Sequence, residues 1–412
     1  MHTRDTPCCR SCGAPLTETF VDLGMSPLAN SYVAPGRAAA MEPFYPLHAY
    51  VCSSCFLVQL DEFEKPDHIF SDYLYFSSFS TSWLDHASRY VAAITERLGL
   101  GAGSKVVEIA SNDGYLLQYF VARGVPVLGV DPARNVVAEA EKRGVPTEVA
   151  FFGRETADRL VAAGHRADLM IANNVLAHVP DINDFVGGFA RLLAPGGTAT
   201  FEFPHLLTLI RDRQFDTIYH EHFSYLSLLA LEPVFARAGL EVYDVEQLPT
   251  HGGSLRLFVR HRDAGRPVGA AVDALRREEA AAGLGDIAAY RAFRRSISDL
   301  RYEILEFFVA ANRAGKTMCA YGAPAKGNTL LNYVGVKPDM IPFTVDRNDH
   351  KQGHLLPGTR IPILHPDAIA RARPDYVVIL PWNLKAEIMA QLAEIRGWGG
   401  RFVTFVPGVE VS

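Results

Sequence analysis

From residue 105 to residue 203, short runs of Val, Ile and Leu alternate with stretches of helical periodicity, and this rhythm constrains the fold more than any other feature. Strands are expected at residues 105–109, 127–130, 168–172 and 198–203, with helices beginning near Tyr115, Asn135 and Ile182. Apolar strands separated by helices pair in parallel, and the crossover helices cover both faces of a doubly wound sheet. A helical pattern from Ser82 precedes this unit and ends near Gly99, Gly101 and Gly103, while residues 251–261 read as a further strand. Residues 271–314 are charged and helical apart from a break around Gly283 to Gly285. A second α/β rhythm follows, with a strand at 317–321, a turn at 322–328, a helix from Thr329 to Tyr333, and strands at 342–345 and 376–380.

Two such rhythms in 412 residues exceed one ordinary core, and three domains are expected, at residues 1–70, 71–265 and 266–412. With 49% hydrophobic and 21% charged residues the chain is not disordered. A formal net charge of −6 supplies no global basic field, which argues against a nucleic-acid partner and leaves a single anionic metabolite compatible. Apolar runs fall short of the roughly 20 residues of a membrane span. The N-terminus is polar and Cys-rich where a signal peptide would be apolar, so no membrane partner and a cytoplasmic location are expected.

Five of the six cysteines lie in the first 55 residues, which in a reducing compartment favours metal over disulfides. Cys9-Arg10-Ser11-Cys12 and Cys52-Ser53-Ser54-Cys55 are two CxxC knuckles, each placing two thiolates on one tight turn, as tetrahedral zinc needs. The 39 residues between Cys12 and Cys52 require a long insertion in the hairpin. Cys8 competes with Cys9 for the first position, although only Cys9 keeps the CxxC spacing. Four thiolates fill the shell, so the zinc would be structural.

Val106-Val107-Glu108-Ile109 followed by Ala110-Ser111-Asn112-Asp113-Gly114 has the form of a strand, an acid near its end and a tight turn into a helix. This is a degenerate E/DxGxGxG methyltransferase turn, with Ala110 and Asn112 where glycines are commoner. Small residues admit the methionine part of S-adenosylmethionine, and Gly114 permits the strained turn. Some 20 residues on, Val127-Leu128-Gly129-Val130-Asp131 ends a strand in a carboxylate able to accept both ribose hydroxyls. The first turn lacks the GxGxxG that admits a pyrophosphate, which favours S-adenosylmethionine over NAD. Residues 168–180 resemble the methyltransferase strand-four motif, whose end at Asn173 and Asn174 would lie under the transferable methyl. The expected fold is therefore a class I Rossmann-like S-adenosylmethionine methyltransferase domain flanked by a small zinc domain and a second Rossmann-like α/β domain.

The densest polar cluster is Tyr219-His220-Glu221-His222-Phe223-Ser224-Tyr225. Its HxH spacing admits a metal site or a satisfied surface loop, but it differs from the HExxH helix and suits acid/base catalysis better. Methylating carbon beside a carbonyl requires loss of a C–H proton, and a histidine with its ordinary pKa near ~6.5 serves as base near neutrality. A carboxylate would orient the base, and a tyrosine or second histidine would stabilise the enolate oxygen; Glu221, Tyr219 and His178 supply those types. O- or N-methylation needs less machinery. A zinc-ribbon adaptor with a non-catalytic Rossmann domain is the reading from another class.

Nearly the whole chain resembles the bacterial sugar C-methyltransferases that act on TDP-4-keto deoxysugars. The resemblance rests on the CxxC pair with Pro27-Leu28-Ala29-Asn30, the 108–114 turn, residues 219–223, His251-Gly252-Gly253-Ser254, and Tyr321-Gly322-Ala323-Pro324-Ala325-Lys326-Gly327. It implies that His222 removes the C3 proton, that methylation inverts that centre, and that Glu221, Tyr219, His178 and Tyr73 line the sugar pocket. Tyr75 competes with Tyr73 for that place. His220 stands where some relatives have an acid. His251, Gly252 and Gly253 are expected beside the substrate. The 322–328 turn, with Gly322, Ala323, Ala325, Lys326 and Asn328, suits a sugar-nucleotide diphosphate, because backbone N–H groups, a helix N-terminus and a lysine converge there.

Overall fold

The alternating segments form a seven-stranded sheet in a computed structural model that describes residues 6–63, 76–265 and 267–412. Its strand order is Leu240–Leu248, Ser254–His261, Leu193–Pro204, Ala167–Asn173, Val106–Ile109, Val127–Val130, Thr147–Glu148. The last five are parallel, and Ser254–His261 runs antiparallel to both its neighbours. Val106–Ile109 and Val127–Val130 are buried at every position, as strands covered on both faces must be. Chain order reverses between Val106–Ile109 and Ala167–Asn173, so a ligand crevice opens at their carboxyl ends.

The second rhythm gives a six-stranded sheet, ordered Ile363–Leu364, Thr344–Val345, Met318–Tyr321, Tyr376–Ile379, Arg401–Thr404, Glu410–Val411, parallel but for the last pair. Its switch point lies between Met318–Tyr321 and Tyr376–Ile379. The N-terminal module is a four-stranded antiparallel sheet of Glu18–Ser26, Tyr45–Val51, Val58–Leu60 and Ser224–Tyr225. Its last strand comes from the segment just after residues 219–223, so that loop is held against the N-terminal sheet.

Several expected boundaries move. The 251–261 strand begins only at Ser254, because His251, Gly252 and Gly253 have positive φ of 53°, 90° and 120° and form a turn. The helix expected from Thr329 begins at Ala325, directly after Pro324, and stops at Gly335 with φ 90°. The helical stretch divides around Gly283 to Gly285, as expected, into Ala270–Ala281 and Ile287–Arg313. Val272 and Leu275 of the first belong to the core of the central sheet, so the helix packs with the unit before residue 266. The strands Leu240–Leu248 and Arg401–Thr404 were not anticipated; charged residues interrupt the first, and the second is too short to show a period.

The cores cross the domain boundaries. One joins Cys9, Leu16, Cys52 and Leu57 to Leu226 and Phe235 and to the central sheet. Another runs from Phe20 and Leu47 through Phe293 and Ile297 to Met318 and Ala320, with Phe20 stacked on Phe293 at 4.6 Å. Among the described residues no helix is long and apolar enough to cross a membrane.

Candidate active site and zinc centre

The Sγ atoms of Cys9, Cys12, Cys52 and Cys55 lie within 4.8 Å of one another, with Cys9 3.6 Å from Cys55 and Cys12 3.5 Å from Cys52. Sulfurs around tetrahedral zinc stand about 3.8 Å apart, given Zn–S bonds of ~2.3 Å, so the donor set fits zinc with no open position. Gln59 Nε2 donates to Cys9 Sγ at 3.1 Å. Hydrogen bonding from Cys55, more than any other influence, lowers the Cys9 thiol, and the same contact raises Cys55, so the two sulfurs share one proton in the metal-free cluster. Cys8 stays outside, exposed, its Sγ on the Thr6 carbonyl. Arg10 inside the first knuckle donates to Pro180 O at 2.7 Å and to Leu60 O, tying the zinc turn to the loop after His178.

Glu108, next to last in the strand Val106–Ile109, is buried, with its pKa well above the carboxylate range, mainly through burial. The next turn has positive φ at Ala110 (56°), Asn112 (49°) and Gly114 (75°), conformations that cost side chains energy and recur at binding sites. Asp131 holds that turn: Oδ2 accepts from Asn112 N and Oδ1 from Ala133 N, both at 2.9 Å. Burial pushes its pKa up to about 6. No cation sits against it in the described structure, so its remaining lone pairs suit hydroxyl donors. Ser111 fills the space beside Gly129, where an added Cβ would stand 2.4 Å from Ser111 Oγ. Asn112 Oδ1 accepts from Ser77 N at 2.9 Å, and Asp113 is tied to Arg143 at 3.0 Å and to Ser78, so these two side chains fasten the turn. Asn173 is buried at the end of its strand. Asn174, with φ 53°, turns its Nδ2 to His251 Nε2 at 3.2 Å.

Across the crevice the His222 ring stands 4.0 Å from Tyr219 and 4.7 Å from His178. His222 Nδ1 lies 2.8 Å from Thr217 O. A carbonyl only accepts, so Nδ1 carries the proton and the neutral ring keeps its lone pair on Nε2. Desolvation by the cleft walls, then His178, depress its pKa well below the histidine range. His178 Nδ1 likewise donates to Glu221 O at 2.8 Å, and desolvation lowers it to about 4. The orienting group for His222 is thus a carbonyl and not the expected carboxylate: Glu221 Oε1 instead accepts from Asn30 Nδ2 at 2.7 Å. His220 points away, its Nε2 3.2 Å from Pro46 O, and packs on the N-terminal hairpin near Tyr45.

The C-terminal turn closes the third side. Tyr32 Oη donates to Ala323 O at 2.6 Å, Asn328 Nδ2 to Ala29 O at 2.7 Å, and Thr329 Oγ1 to Ile218 O at 3.0 Å. Asn328 thus donates its amide to the N-terminal module, while its buried Oδ1 has no hydrogen-bond partner among the described residues. Gly322 has φ 89°, and Ala325 starts the helix. Lys326 Nζ donates to Asn383 Oδ1 at 2.7 Å and lies 4.5 Å over the Trp382 ring. Gly252 and Gly253 admit close neighbours, since a Cβ would stand 2.5 Å from Trp382 Cη2 and 2.6 Å from Thr208 Cγ2 respectively. Tyr73 and Tyr75 lie outside the described residues.

Sequence reasoning missed several contributors. Buried Glu202 binds His86 at 2.9 Å, Arg256 at 2.6 Å and Thr250 Oγ1 at 3.1 Å, fixing the 250–252 turn. Trp83 lies 4.9 Å from His86 and 5.2 Å from His251. Trp382 Nε1 donates to buried Asp216 at 2.7 Å. A charged residue between two phenylalanines of a strand, as Glu202 is between Phe201 and Phe203, was the one visible signal.

Residues 9–70 match a zinc binding domain family, 83–245 a methyltransferase domain family and 249–407 a C-methyltransferase C-terminal domain family. The C-methyltransferase NovU of Streptomyces niveus is 38% identical over 399 residues, 97% of this chain and 95% of that one. A ubiquinone biosynthesis O-methyltransferase of Methylobacterium sp. (strain 4-46) is 37% identical over 100 residues, 23% of this chain and 39% of that one. Among solved structures, 1,6-didemethyltoxoflavin-N1-methyltransferase of Burkholderia thailandensis aligns over 50% of this chain and 95% of its own, with TM-score 0.36 and 19% identity. A zinc cluster, a methyltransferase crevice and a relative similar across almost its full length have one reading: the chain belongs to the S-adenosylmethionine-dependent C-methyltransferases that carry an N-terminal zinc-binding domain.

Proposed function

We propose that this C-methyltransferase, acting in the cytoplasm, methylates C3 of a nucleotide-linked 4-keto deoxysugar, with TDP as the nucleotide and His222 as the base. Bound S-adenosylmethionine supplies an electrophilic sulfonium methyl. The turn Ala110 to Gly114 and Asp131 hold its methionine and ribose parts, with Glu108, Asn173 and Asn174 at the strand ends beside them. The three divisions 1–70, 71–265 and 266–412 then act as zinc module, methyl-transfer unit and nucleotide-binding arm.

The observation carrying this reading is the bond from His222 Nδ1 to Thr217 O, which leaves Nε2 as an acceptor. His222 Nε2 takes the proton from C3 and the C–H electron pair passes into the enolate, to whose carbon bound S-adenosylmethionine would supply the methyl. The depressed pKa keeps His222 neutral at pH 7, ready to accept. His178 donates its one ring proton to Glu221 O, so among the near residues Tyr219 is the hydroxyl suited to the enolate oxygen. Glu221, held by Asn30, lines the sugar. His251, Gly252 and Gly253 line the pocket, and Ala325 and Lys326 offer helix N-terminal N–H groups and a cation to the diphosphate, whereas the N–H groups of Gly322 and Ala323 are taken by Val345 O at 2.7 Å and Asp346 Oδ2 at 2.8 Å and only shape the turn.

The test is incubation of zinc-loaded enzyme with labelled S-adenosylmethionine and a panel of TDP-4-keto sugars, following methyl incorporation and solvent deuterium exchange at C3. Parental enzyme should do both, and His222→Asn neither. Near-parental methyl transfer by His222→Asn would remove the base role and favour O- or N-methylation.

A further inference from the structure

The 3-10 turn Phe215–Thr217 enters the catalytic loop and is pinned from outside its own domain. Asp216 is fully buried, and its Oδ2 accepts from Trp382 Nε1 at 2.7 Å. Two residues later, Ile218 O accepts from Thr329 Oγ1 at 3.0 Å. Trp382 and Thr329 both belong to the C-terminal domain, one following the strand Tyr376–Ile379 and the other inside the helix Ala325–Val334. Between the two pinned residues lies Thr217, whose carbonyl accepts the Nδ1 proton of His222 at 2.8 Å.

The rest of the Trp382 environment is braced in the same sense. Gly252 sits so close that a Cβ would stand 2.5 Å from Trp382 Cη2, and Gln214 Nε2 donates to Gly252 O at 2.8 Å. Lys326 covers the indole at 4.5 Å. The indole thus fixes the turn before the catalytic loop and the 250–252 turn together.

From this arrangement we infer that Trp382 and Thr329 are positioning residues: the C-terminal domain sets the tautomer and aim of His222 by clamping the backbone on either side of the Thr217 carbonyl. The Thr217–Ile218 peptide plane is held within its own turn by Ile218 N–H donating to Phe215 O at 3.0 Å, and the turn as a whole is held in place by the two bonds from the C-terminal domain. Release of either lets the turn shift as a unit and draws the Thr217 carbonyl away from Nδ1, and the imidazole proton then distributes between both nitrogens. The consequence for catalysis rests on the base reading of His222, whereas the clamp itself does not.

Two conservative variants separate the cases. Trp382→Phe keeps a ring against Gly252 and removes the indole donor; Thr329→Val keeps the shape and removes the hydroxyl. With 15N-histidine labelling of the zinc-loaded full chain, and His222→Asn to assign the signals, parental His222 should show one Nδ1–H tautomer. Either variant, and the double variant most, should shift His222 towards a tautomer mixture while His261, at the far end of the strand Ser254–His261, keeps its signals. In methyl transfer, kcat should fall on the order of tenfold or more, within the roughly 10²–10⁴-fold that a positioned base supplies, with KM for S-adenosylmethionine unchanged. Unmoved His222 signals in the folded double variant would overturn the clamp, as would a raised sugar-nucleotide KM at unchanged kcat and unchanged His222 signals. A relaxed tautomer with parental methyl transfer would uphold the clamp and remove the base role.

Discussion

Replacing Asp131 with alanine tests the cofactor crevice most directly. The carboxylate accepts two backbone bonds, from Asn112 N and Ala133 N, each at 2.9 Å and both buried. Hydrogen bonds to charged groups contribute roughly 1.5 kcal/mol or more each, so the variant should lose about 3 kcal/mol of stability. Asn112 N belongs to the strained turn, with φ 49°, and that turn should loosen. If the same carboxylate also receives the ribose hydroxyls, binding of S-adenosylmethionine falls by a further ~1–3 kcal/mol, roughly 5- to 150-fold in Kd. Asp131→Asn keeps one acceptor oxygen and should fall between variant and parent in both quantities. Urea unfolding gives the first quantity and calorimetric titration with S-adenosylmethionine the second. Destabilisation as stated, with affinity within about twofold of the parent, would show that Asp131 shapes the turn without touching the ribose.

Removing zinc with a chelator, or making Cys52→Ser, should abolish methyl transfer as well as unfold the N-terminal module, because Arg10 and the strand Ser224–Tyr225 link it to the catalytic loop; Cys8→Ser should leave zinc content at parental stoichiometry. Retained activity after complete zinc loss would defeat that linkage. Gly252→Ala meets both a φ of 90° and Trp382 at 2.5 Å, so it should cost about 1–3 kcal/mol in thermal unfolding and lower kcat, whereas Gly164→Ala, in open space with φ 84°, should leave kcat unchanged. His178 titrates at about 4 in the fold against an ordinary 6.5, because burial disfavours its charged form. Its stabilising contribution is complete above pH 6.5 and is lost as pH falls towards 4, so unfolding free energy should decline across that window, and less steeply in His178→Phe. An identical slope in the variant would contradict the assignment.

Periodicity and spacing determined much of this protein. The parallel sheets were legible because strands buried on both faces become continuous apolar runs, and the cysteine cluster because CxxC spacing confines two thiolates to one turn. Asp131 and His222 were visible as polar residues at strand and loop positions with a chemical purpose. The tertiary structure decided what those side chains do. Cys8 and Cys9 are adjacent in sequence, yet only Cys9 reaches the other sulfurs. His220 and Glu221 sit beside His222 in sequence, yet one faces the N-terminal hairpin and the other is held by Asn30. His222 takes its orientation from Thr217 O, a backbone atom that residue identity does not disclose. Trp382, 166 residues beyond Asp216, meets it through a 2.7 Å bond. Local pattern records which faces are apolar and where the chain turns; the direction of a polar side chain within a cleft is set by partners from distant segments, and only their packing brings those partners together.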